Sequence, residues 1–474
     1  MLRKYITLWK RSPFEKCRFW PLLTTLVLLI ILLQVWHMAL LSRLEAKDAQ
    51  REDSRSLVGR QLQGRMFRTV LEEMEERVTN SYRFDRSGTY HVLDNFLTSE
   101  HVVRGRNLYD VSVVTQCSSN HLHHLSDLAQ RWNGPISVSV FTFDDDFVHT
   151  VSSMLHFHFC NDHIYRHVSF HLVYPISRAP KHLEGLRDLK LSCADHDPSS
   201  SSSVDLSPAQ LGAGPSVANY ASEDLEYPNN LLRNLAINYA QTPYIFMIDV
   251  DMVPSENLRQ EFQKLMSSHI QHPHFPVATT KNNSSSSSGA DAAVANPLSA
   301  FVVPAFEIQE KVPIPNTKSE LLTLWLKTQV RPFYWEACNP CQKLTDYDKW
   351  RRLGKGGPLA VAYSVERNAL WEPFYIAKTS VPLYDERFKQ YGFNRVSQVC
   401  EMHVAGFTFH ILDNAFLVHK GFKTPGSFHA QKDAENKRNK VLYRKFVEEL
   451  RVKYPDTQRR CFDGGDKKSY FYSN

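Results

Sequence analysis

The chain has 474 residues, 42% of them hydrophobic, enough for one large or two medium domains around a substantial core. A net charge of +6 with a pI near 8.7 is mildly basic, and too dispersed to argue for nucleic acid as a partner.

Residues 19–41 are almost wholly apolar, broken by Thr24, Thr25, Gln34 and His37, and are long enough to cross a bilayer as one helix. Trp20 and Trp36 stand near its ends, as interfacial aromatics do. Arg3, Lys4, Lys10, Arg11, Lys16 and Arg18 precede it, against the single acid Glu15. The positive-inside rule then predicts a single-pass type II protein, with residues 1–18 cytosolic, an uncleaved anchor over 19–41 and the rest luminal. A cleaved signal would be shorter and would end in small residues, which Met38-Ala39-Leu40-Leu41 does not supply.

Cys17 falls on the cytosolic side, and Cys117, Cys160, Cys193, Cys338, Cys341, Cys400 and Cys461 on the luminal side, where disulfides are permitted. Their odd number leaves at least one thiol free or paired between chains. Cys338-Asn-Pro-Cys341 has the spacing of half a zinc site, but no second close Cys/His pair completes it, so a local disulfide is expected.

Residues 42–90 read as a charged stem, with Val58, Leu62, Met66, Val70, Met74 and Val78 recurring every four residues along an amphipathic helix. That face can pack on the following domain or on a second copy in a homodimer.

Residues 91–474 read as one α/β domain. Strands are expected at Val111–Thr115, Ile136–Phe143 and His167–Val173, with a helix between the first two carrying Leu122, Leu125, Leu128 and Trp132. Such alternation predicts a mixed, mostly parallel sheet flanked by helices. Two Ser-rich stretches, 195–221 and 272–297, read as surface loops, and the second holds the glycosylation acceptors Asn282 and Asn283. Tyr227-Pro228-Asn229-Asn230 opens a helix with Leu231, Leu232, Leu235, Ala236 and Tyr239 on its apolar face. Arg233 and Asn234 lie off that face, and Arg233 is either an exposed helix arginine or a phosphate ligand.

The most strand-like run, Tyr244–Ile248, leads straight into Asp249-Val250-Asp251. On an extended chain residues i and i+2 point the same way, so both carboxylates could close on one cation where the sheet opens. Most Asp-x-Asp pairs are solvated turns, but this one caps a buried strand, where unpaired carboxylates are costly. Pro254 is expected to end the strand. Hard oxygen donors suit Mg²⁺ or Mn²⁺ with a phosphate-bearing substrate. His419, closing the apolar run Phe416-Leu417-Val418, supplies a third ligand and tilts the metal toward Mn²⁺. Gly421 permits close backbone approach, and Lys423 can neutralise a phosphate. Aromatics interleaved with Glu372, Asp385, Glu386 and Arg395 suit a sugar site, against the plainer reading of an aromatic core beside a solvated charge run.

YPNNLLRNLA (227–236), IDVDMVPSENL (248–258), FVVPAFEI (301–308), VRPFY (330–334), WEPFY (371–375), DERFKQYGFNR (385–395) and FLVHKGFK (416–423) stand in one order. With CNPC (338–341), HVAGF (403–407) and RRC (459–461), the chain resembles the LARGE-like glycosyltransferases (family 49) over residues 110–461. The resemblance implies a GT-A fold, UDP-glucuronate as donor and Mn²⁺ as cofactor on Asp249, Asp251 and His419. It further implies a Golgi enzyme, with a β-linked xylose on the O-mannosyl glycan of alpha-dystroglycan as acceptor. The product would be a glucuronyl-β1,4-xylose primer that LARGE, a partner in sequence, extends. Asp385, Glu386 and Glu372 remain alternative catalytic bases, and Arg233, Asn234, Arg395, Gly421 and Lys423 alternative donor-binding positions. Competing readings are a LARGE-like or poly-N-acetyllactosamine transferase using another UDP-sugar, and a non-catalytic glycan-binding partner.

Overall fold

The computed structural model describes residues 66–461 apart from 81, 101–106, 182, 190–192, 194–219, 221–222, 224, 272–297, 354–355, 368–369 and 425–430, together with Thr25, Leu33 and Gln34. The expected tail, almost all of the expected anchor, both Ser-rich loops except Tyr220, and the two glycosylation acceptors lie outside these residues. Among the described residues no helix is long and apolar enough to cross a membrane.

Residues 66–80 are helical. Within 71–80, Leu71, Met74 and Val78 are buried, and Arg77 donates to the carbonyl of Asn95 at 2.6 Å. This part of the stem is therefore docked on the domain that follows. The sheet also begins earlier than expected, inside the stem range, with β1 (Arg83–Phe84).

The strands that follow are β2 (Tyr90–Leu97), β3 (Val111–Ser118), β4 (Ile136–Phe141), β5 (Val168–Pro175), β6 (Tyr244–Met247) and β7 (Met252–Pro254). After them come β8 (Ser299–Val303), β9 (Ala305–Ile308), β10 (Val330–Pro332), β11 (Ala360–Val365), β12 (Phe374–Lys378), β13 (Thr408–Asp413) and β14 (Leu417–Lys420). The main sheet has the order β1-β2-β5-β4-β3-β6-β12-β8-β13-β11, and a smaller one the order β10-β9-β14-β7. Strands β5, β4, β3 and β6 are parallel neighbours, as the alternating pattern predicts. The expectation of a mostly parallel sheet is corrected beyond them. β12 inserts antiparallel between β6 and β8, and the outer pairs β1–β2, β2–β5 and β11–β13 are antiparallel too, so the sheet is mixed as expected but not mostly parallel.

Every residue of β4, Ile-Ser-Val-Ser-Val-Phe, is buried, serines included, as in a strand covered on both faces. The longer helices after the stem are α1 (His124–Trp132), α2 (Asp144–Cys160), α3 (Asn229–Asn238), α4 (Leu258–Gln271), α5 (Lys318–Leu326), α6 (Asn394–Val404) and α7 (Lys432–Lys453). α1 buries Leu125, Leu128 and Trp132 and stops at Asn133, whose φ of 45° is the left-handed cap for which Asn is suited. α3 differs from its expected amphipathic form: Arg233 and Asn234 are as buried as its leucines. Pro304 divides the run 300–307 into β8 of the large sheet and β9 of the small one.

Cys160–Cys193, Cys338–Cys341 and Cys400–Cys461 are disulfides, which leaves Cys117 as a buried thiol among the described residues.

Candidate active site

The Asp-x-Asp lies in a turn rather than on an extended strand. The amide of Met252 donates to the Asp249 carbonyl at 3.1 Å, and β7 resumes at once. Pro254 is the last residue of β7 and ends it, as expected, and is tolerated there because β7 is an edge strand of the small sheet. The turn removes the i, i+2 alignment of an extended chain, and the two carboxylates meet different partners.

Asp251 faces β14. The register pairs His419 with Met252 on one side and with Glu307 of β9 on the other. His419 Nε2 thereby comes to 3.1 Å from Asp251 Oδ2, and Lys423 Nζ to 3.8 Å from the same oxygen. Burial pushes the Asp251 carboxyl up, but the hydrogen bond and charge of His419, with Lys423 beyond, hold it well below the usual range. Gly421, at φ 85°, turns the chain so that its carbonyl lies 2.9 Å from His419 Nδ1, and Glu307 accepts the Lys423 amide at 2.5 Å.

Asp249 faces the other way. Its two oxygens lie 3.8 Å from Arg233 and 3.4 Å from Arg395, both buried guanidinium groups. Arg395 also lies 4.1 Å over the ring of Phe374. Glu372, Tyr334 and Asn394 line the same cleft, which has a volume of about 560 Å³. Burial raises the Glu372 carboxyl above its ordinary value, Arg395 and Arg233 pull it back, and Asp249 adds to the rise. Burial and the charges of Asp249 and Glu372 also raise the Tyr334 phenol.

Three expected site residues are elsewhere. Asp385 and Glu386 line a separate groove with Tyr90, Arg387 and Glu449. Asp385 is held by Arg387 at 2.5 Å, and Glu386 accepts from Asn234 at 2.9 Å. Asn234 holds the Tyr384 backbone at both ends, donating to its carbonyl and accepting from its amide, each at 2.8 Å. It positions a loop and has no reach to the Asp249 cleft. Of the three candidate bases, Glu372 alone shares that cleft.

Sequence reasoning missed Tyr334, which sits inside the VRPFY motif at a positive φ of 59°. It also missed His121 and His124, which follow β3 close enough to Asp251 to feel its charge. Burial, then His123, lowers the His124 imidazole to about 4 despite Asp251. The dense His-His pattern of 121–124 was the available signal.

Whether these residues suit a cation turns on His419. A carbonyl only accepts, so Nδ1 carries a proton toward Gly421. Nε2 faces a carboxylate oxygen, so the two either share a second ring proton or hold a cation between them. Asp251 and His419 therefore fit a divalent ion. Among the described residues no three His, Cys, Asp or Glu side chains converge as a ready cage, so the expected trio with Asp249 is not assembled.

Open mixed sheet, carboxylate turn at a strand end and a cleft that sets a raised carboxyl beside two buried arginines together define an α/β protein with a charged cleft at the edge of its parallel strands. The chain belongs to the family described as glycosyl-transferase for dystroglycan, whose model matches residues 110–455. It is 34% identical over 465 residues to beta-1,4-glucuronyltransferase 1 of Danio rerio, covering 94% of this chain and 99% of that one. To beta-1,4-glucuronyltransferase 1 of Homo sapiens it is 41% identical, covering 80% and 82%. It is 26% identical to the human xylosyl- and glucuronyltransferase LARGE1, over 72% of this chain and 35% of that one. Among solved structures, GalNAc-T7 with UDP, GalNAc and Mn²⁺ has a TM-score of 0.34 at 9% identity, over 75% and 52%, a likeness too loose to support any statement about donor or metal.

Proposed function

We propose that the chain is an inverting glucuronyltransferase, moving glucuronate from UDP-glucuronate to a β-linked xylose of the O-mannosyl glycan of alpha-dystroglycan. The observation that carries the reading is the cleft in which Glu372, with its raised carboxyl, shares space with Asp249, Arg233 and Arg395. The relatives at 34–41% identity supply the donor sugar.

Glu372 takes the proton of the acceptor hydroxyl as that oxygen bonds to the anomeric carbon and the bond from that carbon to UDP breaks. Attack opposite the leaving group converts the α-linked donor into a β-linked product. Arg233 and Arg395 are pre-oriented by Asp249, with no flexible search left, to pair with the donor's glucuronate carboxylate. Lys423 neutralises the diphosphate from the Asp251 side. Asp251 and His419 would hold a divalent ion, Mn²⁺ by their mixed oxygen and nitrogen donors, which would stabilise charge on the departing diphosphate. Tyr334 lines the same cleft beside Glu372 and Asp249.

The same reading places the protein in the Golgi membrane as a type II enzyme, from the apolar segment 19–41 and its basic flank. Protease treatment of intact microsomes should spare the domain until detergent is added. Assays of the purified protein on a β-xyloside with UDP-glucuronate, UDP-xylose and UDP-N-acetylglucosamine test the donor. Glucuronate incorporation is expected, and incorporation of either other sugar alone would overturn the assignment.

A further inference from the structure

A second groove, about 870 Å³ in volume, opens beside the cleft. The two are contiguous at Leu370, which lines both. They also share a wall built from three pairs of consecutive residues: Phe333 faces the groove and Tyr334 the cleft, Gln342 the groove and Cys341 the cleft, Trp371 the groove and Glu372 the cleft. The Phe333 and Tyr334 rings stack at 4.1 Å, which makes that wall rigid. The disulfide Cys338–Cys341 and the bond from the Glu372 amide to the Cys341 carbonyl at 2.8 Å tie its other segments together.

The groove's chemistry is specific. Trp335, the residue after Tyr334, is 53% exposed and offers a large flat apolar face at the groove's edge. Around it stand four cations, Arg331, Lys343, Lys349 and Arg351, and two carboxylates, Asp346 and Asp348. A ligand that is only apolar has no use for such a rim, and a ligand that is only anionic has no use for its two carboxylates. Pyranose rings suit both features, because their C–H faces stack on an indole while their hydroxyls donate to carboxylates and accept from cations. Tyr363 is fixed within the groove by hydrogen bonds from its hydroxyl to the carbonyls of Thr345 and Asp346 at 2.6 and 3.0 Å, so the site is largely pre-formed.

We infer that this groove is an acceptor subsite that binds the pyranose units behind the terminal sugar, with one ring stacked on Trp335. The inference rests on the cleft being the place of transfer, since its value lies in delivering a chain end to Glu372. Such a subsite would let an enzyme whose reaction needs only one hydroxyl select a long glycan over a free sugar.

The experiment compares a minimal aryl β-xyloside with an extended xylose-terminated oligosaccharide, using the full chain and Trp335→Ala. KM for the extended acceptor should rise about tenfold in the variant, the scale of one lost aromatic contact, with kcat and the xyloside KM unchanged. Binding of the extended oligosaccharide without donor, followed by ligand-observed NMR, should weaken by the same factor. Equal KM changes for both acceptors, or none for either, would overturn the subsite. If the wild type transfers to neither acceptor, the functional reading fails, and the binding measurement still decides the groove: unaltered binding by Trp335→Ala rejects it. Lys349→Ala provides a second variant, outside the three pairs of the shared wall, with the same expected split.

Discussion

His419 Nε2 lies 3.1 Å from Asp251 Oδ2, although 168 residues separate them in the chain. The contact exists because β14 pairs with β7 on one side and β9 on the other, which seats His419 beside the residue that immediately precedes β7. Asp251→Asn and His419→Ala should each weaken Mn²⁺ binding, read by calorimetry, by at least about tenfold. Transfer should fall on the order of a hundredfold for Asp251→Asn and less for His419→Ala, where water can take the vacated place. EDTA should inactivate the wild type and Mn²⁺ restore it. Near-normal transfer by Asp251→Asn in excess EDTA would sink the metal assignment.

Asp249 has a different task, and its loss should have a different signature. Asp249→Asn leaves Arg233 and Arg395 buried without their shared carboxylate. The Asp249 side chain is partly exposed and both gaps exceed 3 Å, so the expected destabilisation is about 1–3 kcal/mol, below the scale for a fully buried pair. Chemical denaturation measures it, and an unchanged midpoint would show that the arginines do not depend on this acid.

Glu372→Gln should reduce kcat by roughly a hundredfold or more and remove the acidic limb of the rate profile, because the base is active only when deprotonated. Asp385→Asn and Glu386→Gln should stay within a few-fold of wild type. The raised carboxyl also has a stability consequence. Its native value lies above its unfolded value, so its favourable contribution is complete below the unfolded value and is lost as pH rises through the native one. Glu372→Gln should therefore raise Tm at neutral pH, with the gain fading on acidification. A Tm difference independent of pH would contradict the raised carboxyl.

Asn234→Ala removes both bonds to the Tyr384 backbone and the one to Glu386. It should cost about 2–3 kcal/mol in denaturant unfolding, since a buried backbone amide and carbonyl lose their partner. A loss of donor affinity with stability intact would instead restore the binding role expected from sequence.

The disulfides should rank by the chain they close. Cys400–Cys461 spans 61 residues and Cys338–Cys341 spans 3. Loop-closure entropy gives about 4 kcal/mol for the first and about 2 kcal/mol or less for the second. Paired Cys→Ser variants in thermal denaturation should show that order, and the reverse would mean that the short bridge holds the wall between cleft and groove more firmly than its length suggests.

Sequence by itself determined the strands β3 to β6 and the helices α1 and α3, because hydrophobic periodicity is a local property and these elements are long and regular. It also singled out Asp249, Asp251 and His419 as candidates for the chemistry, since polar groups at the ends of apolar runs are costly without a task, and left Arg233, Arg395 and Glu372 among several alternatives. Tertiary structure alone decided how they divide. The turn at Asp249 to Met252 sends one carboxylate to the arginines and the other to His419, which no i, i+2 rule on an extended chain anticipates. Burial of Arg233 and Asn234 depends on loop 384–386 and the first turn of α6 folding over α3, roughly 150 residues away in the chain. The choice of Glu372 over Asp385 and Glu386 is of the same kind: the three are chemically alike, and only the path of the backbone determines which one opens into the cleft that Asp249 shares.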